Sequence, residues 1–97
     1  MSKKYRITAT AARKLDFEIG LSRDRYGARH AAAYKAGLLA AVRKISQNPK
    51  ICVERPEIGK GVRCARFKGN YIVYRLSEDG AEVIVLNFPG VREERMV

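Results

Sequence analysis

The apolar positions along the chain change period several times, and each change predicts a new element. Tyr5 to Thr8 alternates aromatic, basic, aliphatic and polar residues, which predicts a short strand with Tyr5 and Ile7 on one face. From Thr8 the spacing becomes helical. The Thr8 hydroxyl is suited to an N-cap, and Ala11, Leu15, Ile19 and Tyr26 fall on or near one stripe of a helix running to about Arg25. Its Asp16 and Glu18 side is expected to face solvent. Tyr26-Gly27 interrupts the pattern, and a second helix is predicted from about Arg29 to Gln47. There Ala31, Tyr34, Leu38, Ala41, Val42 and Ile45 recur at spacings of three and four, as one buried face requires. Beside them Ala33, Ala36, Gly37 and Ala40 form a row of small residues that would let the first helix approach closely. Asn48-Pro49 ends the run.

No period holds from Lys50 to Gly61, where Pro56, Gly59 and Gly61 mark a long loop. Three strands follow, Val62–Phe67, Tyr71–Leu76 and Glu82–Phe88, separated by Lys68-Gly69-Asn70 and Glu78-Asp79-Gly80, which carry turn chemistry. Val83-Ile84-Val85-Leu86 is apolar at every position and predicts a central strand buried on both faces. The expected fold is therefore α+β, in the order strand, helix, helix, strand, strand, strand. An antiparallel meander sheet carries a helical hairpin on one face. Nothing remains to cover the other face, which is expected to stand open to a partner.

Composition narrows the class. The 97 residues fit one domain spanning 1–97, and 46% hydrophobic residues are enough for a core. Apolar stretches such as Ala31–Tyr34 and Val83–Leu86 fall far short of the roughly 20 residues a membrane helix needs. Lys3, Lys4 and Arg6 are followed by no apolar segment of the kind a secretory signal carries. A cytoplasmic location with no membrane association is expected, and Cys52 and Cys64 read as free thiols. These cysteines and His30 lack the spacing of a metal site, so no metal and no cofactor is expected. No nucleophile and base pair, paired carboxylates or nucleotide loop stands out.

The formal charge is +10, with 20 basic and 10 acidic side chains. Residues 1–60 hold 14 basic and 5 acidic side chains, so almost all of the excess lies in the first strand, the helices and the loop. A surface of this kind suits an acidic protein segment as well as nucleic acid. The strands add arginines interleaved with aromatics: Arg63, Arg66 and Arg75 with Tyr71 and Tyr74, then Arg92 and Arg95. Planar guanidinium forks suit phosphate and carboxylate.

The order of elements and several local strings together resemble the ParE/RelE superfamily of type II toxin–antitoxin toxins. Tyr5-Arg6-Ile7-Thr8, Ile45-Ser46-Gln47-Asn48-Pro49, Gly61-Val62-Arg63-Cys64-Ala65-Arg66-Phe67, Asn70-Tyr71-Ile72-Val73-Tyr74-Arg75-Leu76, Val83-Ile84-Val85-Leu86 and Gly90-x-Arg92 carry the resemblance across nearly the whole chain. The pattern is closer to the ParE branch, which implies a toxin that inhibits DNA gyrase and bacterial growth, has no hydrolytic site, and forms a hetero-oligomer with a cognate antitoxin that neutralises it. On this reading Arg63, Arg75, Arg92 and Arg95 are target-binding, within a contributing region Pro89–Val97. Arg66, Tyr71, Tyr74 and Phe88 are antitoxin-binding. The alternative is a RelE-like, ribosome-dependent mRNA endonuclease using Arg63, Arg66, Lys68 and Arg92, although the family's C-terminal Tyr or His is absent from Glu93-Glu94-Arg95-Met96-Val97. A second alternative is a non-toxic module that binds antitoxin or nucleic acid.

Overall fold

The structure is a computed structural model that describes residues 4–92. Six elements follow in the expected order: β1 (Lys4–Ile7), α1 (Ala9–Tyr26), α2 (Ala28–Gln47), β2 (Arg63–Phe67), β3 (Asn70–Leu76) and β4 (Glu82–Asn87). Thr8 caps α1, its Oγ1 accepting the Ala11 N–H at 3.2 Å. Gly27 alone joins the helices. Its N–H closes α1 on the Arg23 carbonyl and its carbonyl opens α2 by accepting from Ala31. Both roles are met at φ 95°, a conformation that strongly favours glycine.

The sheet runs β1-β4-β3-β2. β2, β3 and β4 form the antiparallel meander, and β4 is central as its continuous apolar run predicts. The sheet as a whole is mixed, because β1 pairs with β4 in parallel, Tyr5 opposite Val83 and Ile7 opposite Val85. The crossover that a parallel neighbour needs is supplied by the helical hairpin together with β2 and β3. A bulge separates the pairs Tyr74–Val85 and Val73–Asn87, leaving Leu86 as the extra residue on β4. This shifts the alternation by one. Val85 and Phe88, an odd number of positions apart, thereby both reach the core.

That core lies between the hairpin and one sheet face. Ala11, Leu15 and Ile19 of α1 and Ala31, Leu38, Val42 and Ile45 of α2 meet Ile72, Tyr74, Val83, Val85 and Phe88. Several expectations are corrected in detail. Tyr26 does not join the α1 stripe: it is 61% exposed at the helix end, against the His30 ring at 4.8 Å. Ala33, Ala36 and Ala40 are exposed, so that row does not seat α1. Gly37 instead faces the Phe67 ring of β2, and a Cβ there would stand 2.7 Å from Phe67 Cζ. Glu18 is half-buried and bonded to Asn70.

Neither helix covers the second sheet face, yet that face is no open apolar groove, since Val73 and Ile84 on it are buried. The exposed apolar surface lies elsewhere, including Ile51 and Val53 in the loop and Phe17 and Leu21 on α1. Among the described residues no helix is long and apolar enough to cross a membrane.

Candidate functional site

The strand arginines divide between the two ends of the sheet and the outer edge of β2. At the end where β2 begins and β3 finishes, a cavity of about 500 Å³ is lined by Lys50, Lys60, Arg63 and Arg75 together with Glu54 and Glu78. The loop is folded back to form its wall, with the Arg55 N–H on the Val62 carbonyl at 2.6 Å and Glu54 bridged to Arg63 in antiparallel fashion. Arg63 is the anchored member. Its side chain is only 14% exposed, Nη1 donates to the Cys52 carbonyl, and Nη2 lies 3.6 Å from Glu54 Oε1. The Arg75 Nη1 donates to the Leu76 carbonyl at 3.2 Å. Behind Arg63, the Tyr74 hydroxyl donates to the Pro49 carbonyl at 2.8 Å, and burial pushes its phenol well above the usual tyrosine range.

At the opposite end, where the β2–β3 turn meets the exit of β4, a buried polar hub joins four segments. Asn70 is 5% exposed. Its Nδ2 donates to Glu18 Oε1 at 2.7 Å and to the Phe88 carbonyl at 3.1 Å, while its Oδ1 accepts the Tyr34 hydroxyl at 2.7 Å. Tyr34 in turn accepts the Gly69 N–H at 3.2 Å. Burial, with the Glu18 carboxylate nearby, raises the Tyr34 phenol and keeps it a donor. The hub borders two adjoining surface depressions, one reaching Arg25, Tyr26 and His30, the other reaching Arg25, Gly90 and Arg92.

Along the outer edge of β2 runs a fourth concavity, about 400 Å³, between β2 and the C-terminal half of α2. Ala41, Ile45, Ile51, Ala65 and Ile72 make it apolar, and Lys44 and Arg66 add charge to it. Cys52 and Cys64 also line it as free thiols, and burial pushes the Cys64 thiol up.

Of the target-binding residues expected from the sequence, Arg63 and Arg75 share the first cavity, whereas Arg92 lies at the other end of the sheet. Arg95 lies outside the described residues. Of the antitoxin-binding set, Arg66 is exposed and opposite the half-buried Tyr71 in the β2–β3 register. Tyr74 and Phe88 are corrected: both are 0% exposed core residues, turned to the helices by strand alternation and by the β4 bulge, so neither presents surface to a partner. Lys68 is exposed at the turn, its Nζ 5.5 Å from the Phe67 ring centroid. Lys50 and Lys60 carry no signal in the sequence, because they stand at the two ends of a segment without periodicity, and Asn70 reads there as turn chemistry. The one available signal for Asn70 was its place immediately after Lys68-Gly69, where a polar residue enters a strand that is otherwise strongly apolar.

Comparison with known proteins bears on the whole chain. The family model described as the ParE toxin of the type II toxin-antitoxin system parDE matches residues 5–93. Among solved structures, a chain of the chromosomal ParDE system from P. aeruginosa superposes with a TM-score of 0.80 at 20% identity, covering 94% of this chain and 98% of that one. A chain of the toxin-antitoxin complex RelBE2 from Mycobacterium tuberculosis gives a TM-score of 0.61 at 22% identity, covering 93% and 99%. At these identities the likeness is one of fold. No curated protein sequence matches the chain.

Proposed function

Because the chain belongs to the ParE toxin family of type II toxin–antitoxin systems, we propose that it arrests bacterial growth by inhibiting DNA gyrase and that a cognate antitoxin neutralises it by direct binding. The family match over residues 5–93 carries the toxin assignment. The spread of the cations supports inhibition over RNA cleavage. Arg63 lines the cavity at one end of the sheet, Arg66 the edge groove and Arg92 the depression at the far end, while Lys68 lies over Phe67. Arg66 and Lys68 do adjoin, the Arg66 Nε donating to the Lys68 carbonyl at 3.1 Å, but Arg63 and Arg92 stand apart from that pair and from each other, whereas general acid–base cleavage needs its groups around one phosphate.

The antitoxin site is the apolar groove along β2. An apolar floor edged by cations fits a segment that anchors aliphatic side chains and pairs its acids with Lys44 and Arg66. Ile51 and Val53, 66% and 75% exposed, extend that surface at its loop end. A solvent-exposed apolar extension of this kind fits burial by a partner.

The deciding experiment adds the purified chain to a gyrase supercoiling reaction and, separately, to ribosomes programmed with message. Loss of supercoiling with intact message is the expected result. Cleaved message with supercoiling untouched would establish the nuclease reading instead, and normal growth of cells expressing the folded chain would establish the non-toxic module.

A further inference from the structure

Among the described residues, the cavity at the β2 start holds more cations than acids. Four cations, Lys50, Lys60, Arg63 and Arg75, face one space with two acids, Glu54 and Glu78. Glu78 is exposed on the β3–β4 turn, and Glu54 forms an ion pair with Arg63 at 3.6 Å that is too long for a hydrogen bond and is held by a carboxylate 58% exposed to solvent. Arg63 itself is largely withdrawn from solvent, where a charge is costly unless compensated. A guanidinium carries five N–H donors, and the hydrogen bond to the Cys52 carbonyl uses one. No buried side-chain nitrogen or oxygen among the described residues lacks a partner, so any Arg63 nitrogen without a hydrogen bond is still reached by solvent. The opening available to them is the cavity that Arg63 lines.

We infer that this cavity is an anion site that takes neighbouring backbone phosphates of a nucleic acid, with Arg63 as its fixed fork, Arg75 beside it, and Lys50 and Lys60 closing on the strand from the loop. The inference concerns a ligand group and holds for either target. A lone carboxylate is served by one bidentate arginine, whereas two arginines with two flexible lysines match a tetrahedral group offering several acceptor oxygens and neighbours of the same charge along a strand. The lysines are exposed and outside helices and strands, free to follow the backbone.

The test measures binding of the full-length chain to a short labelled duplex DNA and, in a second arm, to a single-stranded RNA of equal length, each across a salt series. Lys50→Gln/Lys60→Gln is compared with Lys35→Gln/Arg43→Gln, which removes the same charge from exposed positions on α2. Removing two phosphate contacts lowers the salt slope by about two. Between roughly 50 and 200 mM salt the unaltered chain should then lose about tenfold more affinity than the cavity variant, with a smaller change for the α2 variant. The arm that shows this difference identifies the source as DNA or RNA. Equal effects of the two variants would overturn the site in favour of diffuse charge. Tighter binding of a poly-glutamate peptide than of either nucleic acid at the same salt, lost in the cavity variant, would overturn it in favour of an acidic protein segment. Absence of binding in both arms would overturn it outright.

Discussion

Replacing Asn70 by Asp is nearly isosteric and reverses the chemistry of one side of the polar hub. The Tyr34 hydroxyl still finds an oxygen, so that bond at 2.7 Å survives. The two donor bonds of Nδ2 do not: an oxygen would now face Glu18 Oε1 at 2.7 Å and the Phe88 carbonyl at 3.1 Å. A hydrogen bond to a charged group contributes about 1.5–3 kcal/mol and a neutral one about 0.5–1.5 kcal/mol, so about 3 kcal/mol is lost before any repulsion between the carboxylates. Against a total of about 5–15 kcal/mol for a domain, this is a large fraction. Acid should return part of it. Two carboxyls in contact share a proton, which raises the apparent folded pKa of the pair above its unfolded value. A raised folded pKa means a contribution present at low pH and lost as pH rises through it. Asn70→Asp should therefore be destabilised by about 3 kcal/mol or more at pH 7 and by clearly less near pH 4.5, relative to the unaltered chain at each pH. Urea unfolding followed by circular dichroism measures both values. A loss below about 1 kcal/mol at pH 7, or a loss that does not shrink in acid, would refute the hub as the link between α1, α2, β3 and the β4 exit.

Gly37→Val should destabilise by about 1–3 kcal/mol through collision with Phe67, and adding Phe67→Ala should cost less than the sum of the single changes, as a double-mutant cycle in denaturant will show. Tyr74→Phe removes the bond to Pro49 at a cost of about 1 kcal/mol at neutral pH. Because the Tyr74 phenol is raised by burial, its contribution is present below the ordinary value near 10 and falls above it; alkaline unfolding should show a stability slope shallower in the variant by up to about 1.4 kcal/mol per pH unit. Ile51→Asp/Val53→Asp should leave thermal unfolding within about 0.5 kcal/mol of the unaltered chain and weaken antitoxin binding at least tenfold by calorimetry. Cys64, its thiol raised by burial, should be alkylated by iodoacetamide more slowly than a free thiol at pH 8 and reach the free rate in denaturant, read by peptide mass spectrometry.

Elements with a regular period were legible because one physical cause dictates both pattern and structure. The α2 stripe of Ala31, Leu38, Val42 and Ile45 is buried as its spacing requires, and Thr8 caps α1 through the bond its hydroxyl offers. The unbroken apolar run of β4 correctly placed it at the centre of the sheet. Features set by a partner strand or a distant segment were not legible. Nothing local to Lys4–Ile7 states that it lies parallel to β4, and nothing in Val83–Phe88 announces the bulge that sends Phe88 inward. The small residues of α2 announced a close approach, but the partner is an aromatic ring from β2, met across 30 residues of sequence.

The same distinction governs the candidate site. Arginines on strands stood out because a long charged side chain interrupts an apolar alternation, and two of them, Arg63 and Arg75, do meet in one cavity. Their lysine companions lie ten residues apart in the period-free loop, where charge is expected and carries no pattern. They become neighbours only because the Arg55–Val62 and Glu54–Arg63 pairings fold that loop back against β2. The excess charge of residues 1–60, which reads as a diffuse basic exterior, is thus given one point of focus by backbone pairing. Burying Arg63 beneath that point supplies fixed geometry where the sequence alone offered only the sign of the charge.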